Sequence, residues 1–370
     1  MKPKYYSLDK ILELNCDYNI IYGERSNGKT TAVLGYGLKE YIDSGYKNQL
    51  AIIRRWEEDF KGKNGATMFA SIVALGWVNK WTNNKYNNIF YYSQRWYLCY
   101  TDLEGKKVYQ DEQPFALAFS LTSEEHYKST SYPNITNILF DEFITRSYYI
   151  PDEFVKFQNL LSTIIRLKTT VKIVMCGNTI NQYCPYFSEM GLTNVKKQKK
   201  NSIDVYTYGE GTLKVAVEFS GFEGKSKASN KYFAFDNPKL EMIKNGSWEI
   251  AIYPHLPCKY HESEVAYKYY IVFYEDILEC EIIYSKQLKQ AFTFIHKKTT
   301  PIKEDNKNLV FTQEIRPEKW YRSNITHPTD KLSQKIWKYF VTNKVFYQDN
   351  PTGEIVRNFI MANKKGSTLL

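Results

Sequence analysis

Apolar residues along the first half of the chain alternate between two spacings. "YNIIYG" (18–23) is a short β-branched and aromatic run closed by glycine, and "KTTAVLGYGLKEYIDSG" (29–45) follows with helical periodicity and a glycine stop. "QLAIIRR" (49–55) predicts a second buried strand, and "TMFASIVALGWVNKW" (67–81) a helix. A β-rich stretch at 88–110 turns at Glu104-Gly105, and "PFALAFSL" (114–121) and "TNILFDEF" (136–143) predict further strands. "DEFVKFQNLLSTIIRL" (152–167) predicts an amphipathic helix and "VKIVMCGN" (171–178) a fully apolar strand. Strands alternating with helices predict a mostly parallel sheet covered on both faces, an α/β architecture.

The pattern changes after about residue 190. The basic run "KKQKKNS" (196–202) marks a boundary, read either as a solvated linker or as a DNA-facing loop carrying Lys196, Lys197, Lys199 and Lys200. Short β-like pieces occupy 203–255. From 265 a hairpin is expected to turn at Glu275-Asp276, followed by "FTFIHK", "NLVFTQ" and a closing helix over 330–344. Three parts are therefore expected: 1–200, a small β-rich linker at 201–255, and a second domain at 256–370.

Charge and chemistry sharpen this picture. A net charge of +10 with pI near 9.0 points to a polyanionic partner such as nucleic acid. The six cysteines form no C-x-x-C pair and histidines number only five, which disfavours structural zinc and suits reduced core thiols. The N-terminus lacks an apolar signal region, so a soluble, unexported chain is expected.

Gly23-Glu24-Arg25-Ser26-Asn27-Gly28-Lys29-Thr30 fits G-x-x-x-x-G-K-[ST], directly after a strand and opening a helix that continues with Thr31. Glycines let such a loop curl its N–H groups around phosphates. The lysine bridges the β- and γ-phosphates, and the threonine hydroxyl ligates Mg²⁺. "NILFDEF" ends a strand in Asp141, suited to hold Mg²⁺, and adds Glu142, which can deprotonate an attacking water. ATP and Mg²⁺ are thus the expected cofactors. Four further sites keep two readings each. Arg166 ends a helix, as a surface residue or a catalytic one. Arg54 and Arg55 end the second strand, where "EED" could pair them. Asn178 either touches the γ-phosphate or closes an Asx-turn. Arg25 either senses the γ-phosphate or points to solvent.

Together, "IIYGERSNGKT", "IIRRW", "SYPNITNILFDEF", "IPDEF…IIR" and "CGNTINQYCPYF" make the chain resemble the packaging ATPases of phi29-like bacteriophages. These are terminase-like motors of the additional-strand, catalytic-glutamate P-loop class, and the resemblance covers residues 5–190 best. It implies Lys29 and Thr30 on phosphate and Mg²⁺, Asp141 on the metal, Glu142 as base, Arg54 near its own nucleotide, and Arg166 as a finger reaching the neighbouring subunit's ATP. It implies an RNase H-like second domain, read here as a vestigial nuclease because "YKYYIVFY" (267–274) carries no carboxylate. Implied partners are double-stranded DNA, the prohead portal, further copies in a ring (a pentamer in the family) and a candidate structural RNA, without a membrane. The implied setting is host cytoplasm, docked on the prohead. Where the family has "RRYK" with a lysine acting across the interface, this chain has "RRWE" with Glu57. The alternatives are a terminase with active nuclease, a small-molecule P-loop kinase, and a nucleotide-gated switch.

Overall fold

A computed structural model describes residues 6–25, 27–146, 149–221, 251–256 and 258–363. It divides into two compact units, Met1–Glu249 and Ile250–Leu370. In the first, helix α1 (Asp9–Leu12) precedes strand β1 (Tyr18–Gly23), helix α2 (Lys29–Asp43) and strand β2 (Gln49–Arg54). Three short helices follow: α3 (Lys63–Thr67), α4 (Ala70–Ala74) and α5 (Trp77–Trp81). The single helix expected over 67–81 is broken because Gly76 takes a left-handed φ of 68°. Strands β3 (Asn88–Tyr92), β4 (Arg95–Thr101), β5 (Lys107–Gln110), β6 (Ala116–Ser120) and β7 (Ile135–Asp141) lead to helix α6 (Glu153–Ile165). Strand β8 (Lys172–Asn178), helix α7 (Pro185–Glu189) and strands β9 (Ser202–Tyr208) and β10 (Leu213–Ser220) complete the described part.

These ten strands form one sheet in the order β3-β4-β6-β2-β7-β8-β1-β10-β9, with β5 on β4. The centre, from β6 to β10, is parallel, and antiparallel pairs flank it. The α/β expectation holds. Parallel strands are covered on both faces, which is why β1 reads as an almost continuous apolar run and is buried throughout. Its side chains alternate between two cores. Ile20 and Tyr22 join Phe140, Phe157 and Tyr186 beneath α6 and α7, while Ile21 joins Val33, Leu38 and Ile52 beneath α2.

The boundary expected at residue 200 lies further along the chain. Strand β10 pairs in parallel with β1 over Tyr18↔Val215 to Gly23↔Ser220, so 203–220 belongs to the first sheet rather than to a linker. The basic run is likewise taken up by the core. Leu192, Val195 and Gln198 point inward at a spacing of three, and Gln198 accepts from the Tyr22 hydroxyl at 2.9 Å and donates to the Val217 carbonyl at 2.7 Å. Thr193, Asn194, Lys196 and Lys197, which lie between them, face outward.

The second unit contains strands β11 (Val265–Phe273), β12 (Asp276–Ser285), β13 (Gln290–Lys297), β14 (Val310–Thr312), β15 (Tyr321–Arg322) and β16 (Val345–Tyr347). Helices α8 (Lys331–Val341) and α9 (Asn350–Asn363) complete it. The sheet order is β15-β14-β11-β12-β13-β16. Strands β11, β12 and β13 pair antiparallel, and β14 and β15 continue in parallel beside β11. This is the strand order and direction of the RNase H-like fold. It lacks a helix between β13 and β14 and carries β16 as an extra edge. The hairpin turns at Tyr274-Glu275, one residue before the expected place, because Phe273 pairs with Asp276.

Phe140 is fully buried, with its ring 4.9 Å from Phe157 and 5.4 Å from Tyr186. Phe140→Ala is expected to cost about 3–5 kcal/mol through the cavity left behind. Thermal denaturation followed by circular dichroism should show a drop in Tm of about 10 °C.

Candidate active site

Strand β1 ends at Gly23 and α2 begins at Lys29, so the five residues between them must turn the chain from sheet to helix. Gly28 makes that turn at φ 90°, a left-handed conformation that costs glycine little. The loop then delivers the N-terminus of a 15-residue helix, with its unsatisfied N–H groups and positive dipole end, to the C-terminal edge of the sheet. Ser26 lies outside the described residues.

Lys29 is buried, and its ammonium donates to the Glu24 carbonyl at 2.5 Å, Asn27 Oδ1 at 3.0 Å and Asn178 Oδ1 at 3.4 Å. Burial lowers its pKa to about 8, against the pull of nearby groups that include Asp141 and Glu24. Thr30 Oγ1 donates to Asp141 Oδ1 at 2.8 Å, and Arg54 Nη2 donates to Asp141 Oδ2 at 2.6 Å. These contacts join the loop, β7 and β2 at one carboxylate. Two buried donors in this group, Asn27 Nδ2 and Arg54 Nε, have no hydrogen-bond partner. Orphan donors beside a lysine and a helix N-terminus suit an anion with several oxygens. The Thr30 hydroxyl and the Asp141 carboxylate are hard oxygen donors of the kind that Mg²⁺ takes.

Glu142 follows Asp141 at φ 58° and is exposed. It shares a cleft of about 310 Å³ with Arg25, Asp141, Asn178 and Thr145. Asn178 reaches this cleft because β8 lies between β1 and β7, so its last residue stands between the loop and Asp141. Thr31 is half-buried in the first turn of α2.

Lys29, Thr30, Arg54, Asp141, Glu142, Asn178 and Arg25 are therefore gathered at one sheet edge. Arg166 is not among them. It caps the far end of α6, a 13-residue helix that starts beside the site, and so stands about 20 Å from it along the helix axis. Its exposed guanidinium donates to the carbonyls of Lys128 at 3.1 Å and Thr130 at 2.9 Å. Of the four lysines read as DNA contacts, Lys196, Lys197 and Lys199 are exposed, with the Lys196 ammonium 4.6 Å from the Tyr183 ring centre. Lys200 instead forms an ion pair with the loop residue Glu24 at 3.1 Å.

The pairing of Arg54 and Arg55 with "EED" is corrected. Residues 57–60 form a separate 3₁₀ turn in which Glu57 and Glu58 face Lys61, while the arginines form their ion pairs with Asp141 and Glu153; Asp59 shares a cleft with Arg54 and adds to the charge around it without a direct ion pair. Glu153 escaped sequence reasoning. An acidic residue in a helix's first turn is usually a solvated complement to the dipole, and nothing local announces that this one is buried.

In the second unit, the first strand has no carboxylate, as read from the sequence. Glu279, Glu281 and His296 gather on the neighbouring strands, but Lys268 projects from β11 into the same place. Its ammonium lies 2.9 Å from each glutamate. Hydrogen bonds to these two carboxylates raise the lysine pKa further.

Comparison with known proteins fits this geometry. Residues 79–221 match a family model described as Podovirus DNA encapsidation protein (Gp16). The DNA packaging protein of Bacillus phage phi29 is 25% identical over 206 residues, 55% of this chain and 55% of that protein. The counterpart in Bacillus phage B103 is 28% identical over 189 residues, half of each chain. Over this part of its length the chain is similar to the phi29-like DNA packaging proteins. It spans about half the length (55%) of the curated relatives it matches. Its fold is that of the bacteriophage phi29 genome packaging motor assembly (18% identity, TM-score 0.54, covering 96% of this chain and 97% of that one). The phi-28 gp11 DNA packaging motor gives the same TM-score of 0.54 at 16% identity, covering 98% of each chain. Among the described residues, no helix is long and apolar enough to cross a membrane.

Bound phosphate would give the Lys29 ammonium an anionic partner and raise its pKa back toward 10.5. Nucleotide binding is therefore expected to take up protons between about pH 8 and pH 10.5, and none well below pH 8, where Lys29 is already charged. Calorimetry at pH 9 in buffers of different ionisation enthalpy measures this uptake, and Lys29→Ala should abolish it.

Proposed function

We propose that this chain is an ATP-hydrolysing motor subunit that drives double-stranded DNA into a phage prohead. The observation that carries this reading is the junction at Asp141, where Thr30 and Arg54 meet one carboxylate and an exposed glutamate follows immediately. Lys29, the α2 N-terminus and the unpaired Asn27 amide bind the β- and γ-phosphates. Thr30 and Asp141 would hold Mg²⁺, which would supply positive charge against the phosphate oxygens. Glu142 accepts the proton of the attacking water as its oxygen bonds to the γ-phosphorus and ADP leaves with the electron pair. Asn178 contacts Lys29 and the γ-phosphate side, and Arg25, exposed on the cleft, reports loss of the γ-phosphate.

Arg166 serves a neighbouring copy. Its exposure and its distance from its own Asp141 support a role in trans, and a ring of copies follows from it. Exposed Lys196, Lys197 and Lys199, with the net charge of +10, support contact with DNA phosphates, which a motor must make and release without regard to sequence. The second unit binds rather than cuts, because the Lys268 ammonium fills the place where a nuclease would hold a metal ion. The prohead portal, the host cytoplasm as setting and a pentameric ring come with the family resemblance.

ATP turnover with and without duplex DNA tests the reading, and turnover indifferent to DNA would sink it. Glu142→Gln is expected to lower kcat by about 10²–10⁴ with nucleotide binding retained. Arg166→Ala should lower it by about 10³–10⁵. Mixing Arg166→Ala with Glu142→Ala subunits should restore part of the activity, and no recovery at any ratio would refute a shared site. Arg25→Ala should bind ATP normally and hydrolyse it without moving DNA.

A further inference from the structure

We propose that Arg55, buried just after β2, is a positioning residue that holds the backbone of the catalytic turn so that Glu142 faces the attacking water. The inference rests on the hydrolytic reading above and concerns a residue which that reading does not use.

Arg55 is 6% exposed and Glu153, its partner, 3%. The pair is bidentate, Nε to Oε2 at 2.8 Å and Nη2 to Oε1 at 2.7 Å. The same guanidinium then reaches the turn after Asp141. Nη2 donates to the Phe143 carbonyl at 3.0 Å and Nη1 to the Glu142 carbonyl at 3.3 Å. Four of the five N–H groups an arginine offers are thus committed within the protein. Such a residue orients others rather than touching phosphate itself.

The turn needs this hold. Glu142 is a non-glycine residue at φ 58°, a conformation that persists only where its surroundings over-determine it. Two carbonyls pulled inward by one rigid fork fix the peptide planes on either side of Phe143. The Glu142 side chain is then left outward in the cleft. Glu153 is fixed in its turn, accepting from the Ile150 N–H at 2.8 Å and the Tyr186 hydroxyl at 3.0 Å. The Tyr149 ring centre lies 5.1 Å from the guanidinium carbon. A lysine could supply the charge but not the planar fork.

The test is the double variant Arg55→Met/Glu153→Gln. It leaves no unpaired buried charge. The carboxamide that replaces the Glu153 carboxylate can still accept from the Ile150 N–H and donate to the Tyr186 hydroxyl, so the fold is expected to survive. Expected results are a Tm within a few degrees of the parent, unchanged ATP affinity and KM, and kcat lower by about 100-fold. Amide hydrogen exchange at Glu142 and Phe143 should accelerate by about tenfold. A folded variant with parental kcat and unchanged exchange would overturn the proposal. A parent chain that fails to turn over ATP would sink the motor reading instead. The exchange measurement would still decide the role of Arg55. If the double variant does not fold, Arg55→Lys replaces it, with the same slow kcat and fast exchange expected and parental values again refuting the idea.

Discussion

The carboxylate of Asp141 is the point on which the first unit depends. One of its oxygens accepts from Thr30, in the first turn of α2, and the other from Arg54, at the end of β2. Three segments far apart in sequence are thereby locked at one edge of the sheet. Charge-assisted contacts of this kind are strong because Asp141 is only 4% exposed. Parallel strands make the arrangement available. All their C-terminal ends lie along one edge, so the loop, Asp141 and Asn178 converge without any local sequence instruction.

The site is also poised for an anion. Lys29 turns back onto the Glu24 carbonyl and two asparagines, and the unpaired donors of Asn27 and Arg54 await acceptors. A polyphosphate would exchange internal partners for its own oxygens, so little buried charge is left uncompensated with or without it. The loop is tied as well to the segment that follows α7, through Lys200 and Glu24. A basic run that resembles a linker on paper is therefore part of the first unit.

In the second unit, an ion-pair cluster occupies one face of the sheet. Lys268 neutralises Glu279 and Glu281 from the middle of the first strand. The ammonium supplies the positive charge that these two carboxylates need.

Much of this was legible in the sequence. The apolar run of β1, the glycines and lysine of the loop, the helix opening after it, and "NILFDEF" identify strand, loop and carboxylates, because their spacing is itself the chemical requirement. The alternation of elements likewise determined the parallel sheet. Tertiary structure alone decided the rest. Strand β10 belongs beside β1 because of a pairing between distant segments, and no local pattern announces which strand a β-like run will join. Arg55 and Glu153 are far apart along the chain, and each reads locally as a surface charge. Only packing reveals that both are buried and face one another. Arg166 stands in between: its helix was evident from periodicity, but its distance from Asp141 of the same chain follows only from where α6 lies.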